Sequence, residues 1–244
     1  MANYTILFWD LDDTLLDFKK CERNALLKSF AKYGRSVGDD VVSLYSKINE
    51  GYWKRLELGE VTRQELLVGR FRTLFETLMI QDLDPVQFRL TYNKELSASA
   101  FLFEDAWEVV AACKDLGLRQ YVVTNGVADT QKSRIHLSKL EKLMDGLFIS
   151  EEIGVEKPSA VFFHKVFETL GEVDPRQVLL IGDSLSSDMK GGQNAGIATC
   201  WYNPKRKPGN REIPVTYEIR SLPDVLALVA HSCLLYTSPS PRDA

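Results

Sequence analysis

Ile6-Leu7-Phe8-Trp9-Asp10-Leu11-Asp12-Asp13-Thr14 is a short apolar run that stops abruptly in carboxylates and a threonine. Four apolar residues in a row fit a strand buried on both faces, and the polar residues after it fit its emergence at the C-terminal edge of a parallel sheet. Open α/β sheets bind ligands at that edge. Side chains alternate along an extended chain, so Asp10 and Asp12 share a face while Leu11 turns back to packing. Two carboxylates converging there repel by about 4 kcal/mol at roughly 4 Å and an effective dielectric near 20, so such a site is incomplete without a cation. Taken alone, an acidic strand end fits a solvated turn or a helix cap equally well. The rest of the chain decides between them.

From Asp17 to about Ala100 nothing reads as a strand. Apolar residues recur at steps of three or four at Val37, Val41, Leu44, Ile48, Tyr52 and Leu56, then at Leu67, Phe71, Leu74 and Leu78, the pattern of amphipathic helices. Leu83-Asp84-Pro85 breaks it, and a further helix is expected over about 86–96. A whole crossover unit between parallel strands needs only about 30 residues, so a helical subdomain is expected directly after the first strand. The pattern then alternates: helix 107–116, strand 120–123 ending in Thr124-Asn125-Gly126, helix 128–138, strand 147–149, Lys157-Pro158, helix 160–170, strand 178–181, Gly182-Asp183-Ser184-Leu185-Ser186-Ser187-Asp188, helix 189–195 and strand 198–201. Strands alternating with helices predict an α/β fold with a doubly wound, Rossmann-like parallel sheet. The expected division is a core of 1–16 and 100–231 with an all-helical insert at 17–99. The Ser/Pro-rich tail, 232–244, resembles a translated sequencing adaptor and is set aside as non-native, with the native C-terminus expected to be missing.

With 244 residues, 45% hydrophobic, 26% charged and a net charge of −4, the chain has ample core and no polybasic surface for a nucleic-acid polymer. A small molecule is the expected partner, and a monomer or homodimer the expected assembly. Met1-Ala2-Asn3-Tyr4 is not a basic region followed by an apolar run, and no 18-residue apolar stretch follows, so a cytoplasmic protein without membrane association is expected. Cys21, Cys113, Cys200 and Cys233 are scattered without a C-x-x-C, and His136, His164 and His231 have no metal-binding spacing. They read as packing or surface residues.

Three strand ends deliver polar residues to one edge: Asp10/Asp12/Thr14, Thr124/Asn125 and Asp183/Asp188, with Lys157 between the last two. Clustered acids, one cation and hydroxyl or amide donors suit a metal-held phosphate. In that order, D-L-D-D-T, T-N-G, K-P and G-D-S-L-S-S-D resemble the four motifs of the haloacid dehalogenase-like hydrolase superfamily, over about 4–204. A helical insert between the first two motifs resembles the C1 cap class. The strings Asn49-Glu-Gly-Tyr-Trp53, Leu66-Leu67-Val68-Gly69-Arg70-Phe71, Gly154-Val-Glu-Lys157-Pro158 and the run from Gly191 to Pro204 are similar to the noncanonical pyrimidine nucleotidase (5′-nucleotidase) subgroup.

The resemblance implies Asp10 as nucleophile forming an aspartyl-phosphate, and Asp12 as the acid that protonates the leaving oxygen and then the base that activates water. It implies Mg²⁺ held by Asp10, the backbone carbonyl of Asp12, Asp183 and Asp188, with Thr124 and the Asn125 amide on phosphate oxygens and Lys157 offsetting charge. Asp13 is read as structural. Dehalogenases on this architecture lack an aspartate two residues after the nucleophile, so Asp12 points to a phosphatase. The expected enzyme is a Mg²⁺-dependent phosphoric monoester hydrolase of nucleoside 5′-monophosphates, pyrimidines (dUMP, dTMP, UMP) favoured. On the cap, Asn49, Trp53 and Glu57 share a helix face, and with Arg70 they are candidates for substrate specificity; core or surface packing is the competing reading for each. The alternatives are a phosphatase of phosphoglycolate or a sugar phosphate, and a phosphosugar mutase. A GDSL-type serine esterase is disfavoured, because Gly182-Asp183-Ser184-Leu185 stands late and no histidine follows at the right offset.

Overall fold

A computed structural model of the chain describes residues 4–171 and 173–233. In chain order the elements are β1 (Ile6–Trp9), α1 (Phe18–Lys32), α2 (Asp39–Glu57), α3 (Arg63–Thr77), α4 (Pro85–Ser97), α5 (Ala106–Asp115), β2 (Arg119–Thr124), α6 (Ala128–Leu137), β3 (Gly146–Ile149), α7 (Ser150–Ile153), α8 (Ala160–Leu170), β4 (Val178–Gly182), α9 (Lys190–Ala195), β5 (Ala198–Tyr202), β6 (Tyr217–Ile219) and α10 (Asp224–Cys233). They form two compact units. One comprises the chain up to Leu16, Leu102–Asn125 and the residues from Lys139 onward; the other comprises Asp17–Phe101 and Gly126–Ser138.

The first unit is a six-stranded sheet in the order β3-β2-β1-β4-β5-β6, with every pairing parallel. This is the doubly wound α/β architecture expected. β1 is fully buried, as its unbroken apolar run requires. Ile6 and Phe8 pack with Tyr121, Val123, Val178 and Leu180 against Phe162, Phe163 and Val166 of α8. On the opposite side Trp9 donates through Nε1 to Gln120 Oε1 (3.0 Å), whose Nε2 donates to the Val110 carbonyl of α5 (2.9 Å). The central strands are therefore covered on both faces, and their polar side chains gather where the strands end. β1, β2, β4 and β5 are followed at that end by Asp10, Asn125, Asp183 and Asn203 respectively.

The helical unit is built from locally well-marked segments. Thr62 and Glu65 form a reciprocal capping box at the start of α3, and Asp84 caps α4 with Pro85 in its first turn. Its core is aromatic, with Phe30, Tyr45, Phe71, Phe75, Phe88 and Tyr92 in mutual ring contact. One expectation is corrected here: α6, placed with the sheet core by the sequence reading, belongs to the helical unit. Its sequence, ADTQKSRIHL, has too few apolar residues to cover a sheet face. Instead Arg134 donates from Nε to the Ser99 carbonyl (3.1 Å), and Thr130 Oγ1 accepts from Ser97 Oγ (3.3 Å). Among the described residues no helix is long and apolar enough to cross a membrane. The tail expected from 232 lies, beyond Cys233, outside the described residues.

Candidate active site

Asp10 continues the edge of β1, its N–H bonded to the Ile181 carbonyl at 2.9 Å. Leu11 is buried, and Asp13 takes a left-handed conformation (φ 60°) that turns the chain so that its N–H meets the Leu16 carbonyl at 2.8 Å. That backbone costs a non-glycine residue about 1 kcal/mol or more, so the turn is held by its surroundings. Asp12 is half-buried within it.

Lys157 is the centre of the site. Its side chain is 1% exposed, and Nζ donates to Asp10 Oδ1 (2.8 Å), Asp188 Oδ1 (2.6 Å) and the Val123 carbonyl (2.8 Å), so all three of its protons are used. Asn125 holds its backbone by two reciprocal bonds: Lys157 N–H to Asn125 Oδ1 and Asn125 Nδ2 to the Lys157 carbonyl, both 2.9 Å. The Asn125 side chain thus positions Lys157. Thr124 is buried at the end of β2.

After β4 the chain makes one wide π turn, Leu185–Met189, a feature frequent at functional sites. It aims Asp188 back, with Oδ2 accepting the Ser184 N–H at 3.1 Å. Gly182 makes this approach feasible, since a Cβ there would lie 2.3 Å from Asp188 Oδ2. Asp10, Asp183 and Asp188 each place a carboxylate oxygen within 4.8 Å of the others. The charges do not balance. Burial, opposed by Lys157 and reinforced by Asp188, pushes the Asp10 carboxyl up to about 7. Asp183 is raised well above the usual carboxylate range by burial and by Asp10, Asp188 and Asp13. Burial would lower the Lys157 pKa, but Asp10 and Asp188 outweigh it and raise the value. Three converging oxygen donors against one enclosed ammonium fit a hard divalent cation.

Ser184, the serine of the esterase reading, has a hydroxyl bonded to the Ser187 N–H (3.1 Å) and near Ser186 Oγ (3.4 Å). A base to activate it is not among those partners.

In the helical unit the four specificity candidates part company. Asn49 and Arg70 are buried and bonded to each other, Arg70 Nη1 to Asn49 Oδ1 at 2.7 Å, and Asn49 Nδ2 donates to Glu22 Oε1 at 2.9 Å. Trp53 and Glu57 are half-buried, with the Arg63 guanidinium 5.9 Å from the Trp53 ring. Sequence reasoning missed two charged residues. Glu22 carried a signal, an acid on the stripe it shares with Ala25, Leu26 and Ser29. Lys207, which lies outside every motif quoted above, has Nζ 3.7 Å from Asp183 Oδ2.

Residues 4–196 match the family model described as haloacid dehalogenase-like hydrolase. The chain belongs to that family. Among haloacid dehalogenase-like hydrolases it is 36% identical to YfnB of Bacillus subtilis, described as a HAD-hydrolase, over 92% of this chain and 95% of that one. A crystal structure of YfnB bound to magnesium superimposes with a TM-score of 0.88, covering 93% of this chain and 99% of that chain. Pyrimidine 5′-nucleotidase PynA of Streptococcus pneumoniae is 33% identical over 91% of this chain and 94% of its own length. Pyrimidine 5′-nucleotidase YjjG of Escherichia coli is 29% identical over 91% and 96%. As a haloacid dehalogenase-like hydrolase the chain is an enzyme of the hydrolase class.

Proposed function

We propose that this chain is a Mg²⁺-dependent phosphomonoesterase acting on nucleoside 5′-monophosphates, with pyrimidine nucleotides favoured. The observation that carries the reading is Lys157 enclosed with Asp10 and Asp188 at a sheet edge where Asp183 converges on the same point. Likeness to two relatives named pyrimidine 5′-nucleotidase supports the substrate class.

Asp10, Asp183 and Asp188, with the Asp12 carbonyl, would hold Mg²⁺, which when bound supplies charge neutralisation to the phosphoryl oxygens. A carboxylate oxygen of Asp10 attacks phosphorus as the ester P–O bond breaks, giving an aspartyl-phosphate. Asp12 gives its proton to the leaving ribose oxygen, and the nucleoside departs neutral. Asp12, now a carboxylate, takes a proton from water as the water oxygen attacks phosphorus. The P–O bond to Asp10 breaks, inorganic phosphate leaves, and both residues return to their starting states. Lys157, fixed by three acceptors, offsets the repulsion between nucleophile and phosphate without reorganising. Thr124 and the Asn125 amide hold phosphate oxygens. Because Asn49 and Arg70 are buried within the helical unit and bonded to each other, the half-buried Trp53 and Glu57 are the candidates for reading the nucleoside.

The test is inorganic phosphate release with Mg²⁺ from dUMP, dTMP, UMP, AMP, phosphoglycolate and a hexose phosphate, with Asp10→Asn as blank. Selective turnover of the pyrimidine nucleotides, lost in the variant, is expected. Turnover of phosphoglycolate or the sugar phosphate alone would overturn the nucleotidase reading, and no release above the blank would overturn the phosphatase itself.

A further inference from the structure

Two lysines reach the acidic cluster, and the fold holds them in the same way. Asn125 follows directly on β2, and Asn203 directly on β5. These strands flank the central pair, β1 and β4, that carries the acids. Asn125 clamps the Lys157 backbone by two bonds of 2.9 Å. Asn203 clamps the Lys207 backbone by the same two bonds, Lys207 N–H to Asn203 Oδ1 (2.8 Å) and Asn203 Nδ2 to the Lys207 carbonyl (3.0 Å). Asn203 is itself buried and fixed, with its N–H on the Ile219 carbonyl (2.8 Å) and Nδ2 on Glu218 Oε1 (2.9 Å). Arg206, just before Lys207, adopts a left-handed backbone (φ 52°) within this turn. A solvated loop needs neither a buried asparagine nor a strained residue. The result is one ammonium on Asp10 and Asp188 from the β2 side and a second at Asp183 Oδ2 (3.7 Å) from the β5 side.

The two differ in exposure. Lys157 is enclosed, whereas the Lys207 side chain is 55% exposed. An exposed ammonium keeps its charge near the acids but can turn toward solvent and whatever enters from it.

We propose that Lys207 is a second, asparagine-anchored cation of the active site, a positioning residue whose charge at Asp183 favours the phosphate anion and restrains the affinity for the divalent cation. The inference rests on the phosphatase reading above. Its sign follows from Coulomb's law: a positive charge beside a metal ligand opposes a cation and attracts a dianion. The effect is modest, because a half-exposed ion pair is screened by water.

The experiment compares wild type, Lys207→Met and Lys207→Arg, measuring Mg²⁺ affinity by calorimetry without substrate, and KM and kcat for dUMP. In Lys207→Met the Mg²⁺ dissociation constant should fall about three- to five-fold and KM should rise by a similar factor, the size an exposed pair carries, with kcat changing less than KM. Lys207→Arg should restore both values, since charge and not shape is the agent. Asn203→Ala, which frees the clamp, should shift both values in the same directions. Unchanged Mg²⁺ affinity and KM in a wild type that binds Mg²⁺ and releases phosphate would overturn the role of Lys207 alone. A wild type that binds no divalent cation would overturn it together with the phosphatase reading.

Discussion

Each unit of the molecule buries charge, and the two arrangements are wired differently. In the helical unit Glu22, fully buried, is met by Asn49, by Ser46 Oγ and, at 3.9 Å, by Lys19, while Asn49 passes the contact on to Arg70. Here one acid is answered by two cations, Lys19 and Arg70, and the Arg70 guanidinium lies 5.0 Å from the Phe71 ring and 5.4 Å from the Tyr92 ring. In the sheet unit three acids converge on one point, two of them held by the enclosed Lys157 and the third facing the half-exposed Lys207. The first arrangement closes on itself and serves the packing of four helices. The second is left with an excess of negative charge at a sheet edge and becomes complete only with a cation and an anionic substrate. What separates a structural network from a catalytic one here is the sum of its charges.

The largest effect that would break this comparison comes from removing one cation from each network. Taking one partner from a buried ion pair costs about 3–5 kcal/mol of stability, and leaving a buried amide such as Asn49 without its donor costs about 1–3 kcal/mol, so Lys157→Met and Arg70→Met should both lower Tm. Only Lys157→Met should lose turnover, by about 10²- to 10³-fold in kcat, because it alone removes charge that the developing phosphoryl transition state needs. Arg70→Met should keep kcat and KM for dUMP within about two-fold per folded molecule, a bound set by the ±0.5 kcal/mol expected away from a site. A raised KM in Arg70→Met would place that residue against substrate and dissolve the distinction. The measurements are phosphate release and thermal unfolding on the same preparations.

A smaller effect sharpens the comparison from the backbone side. Asp188 is held by Lys157 on one oxygen and by the Ser184 N–H on the other, so it cannot yield to a methyl group 2.3 Å away. Gly182→Ala should therefore displace the carboxylate, cost about 1–3 kcal/mol of stability as overpacking does, and lower kcat about 10- to 100-fold. Retention of wild-type kcat and Mg²⁺ affinity in Gly182→Ala would mean that the position of Asp188 is not critical.

How much of this could be read from the sequence depends on the range of the interactions. Buried parallel strands advertise themselves as continuous apolar runs, and β1, β2 and β4 each end in a polar motif, so the sheet and Asp10, Lys157, Asp183 and Asp188 were legible together. β6 was not, because Tyr217–Ile219 is three residues long with a glutamate in its middle. The assignment of α6 failed for a related reason: its polar sequence says that it is helical but not against which surface it packs. The side-chain roles of Asn125, Asn203 and Lys207 depend on bonds across 32, 4 and 24 residues of turning chain, and no local pattern encodes where such bonds close.

The smallest effect tests the charge excess directly, through pH. The Asp10 carboxyl sits at about 7 in the folded protein against 3.8 as an ordinary side chain, and burial is the first cause. The folded state therefore binds more protons than the unfolded state between those values, so this group's contribution to stability is complete below about pH 4 and is lost as pH rises through about 7. Asp183, raised in the same sense, adds to the loss. A divalent cation binds only the deprotonated carboxylates, so Mg²⁺ should restore at neutral pH what deprotonation removed, and do little at pH 5. With Mg²⁺ at about 100 times its dissociation constant the gain is about 2.7 kcal/mol, a rise in Tm of roughly 5–10 °C for a chain of this size. Glu22 is also raised by burial, but its partners are fixed side chains and no ion reaches it in this reading. Thermal unfolding at pH 5 and 7.5, with and without Mg²⁺, should thus show a pH-dependent Mg²⁺ shift in wild type and in Arg70→Met. The shift should shrink in Asp183→Asn, which also removes the charge that burial penalises and so should raise the metal-free Tm at pH 7.5. A Mg²⁺ shift of equal size at both pH values would show that the acids are already ionised and balanced without the metal, and the contrast between the two networks would then rest on geometry alone.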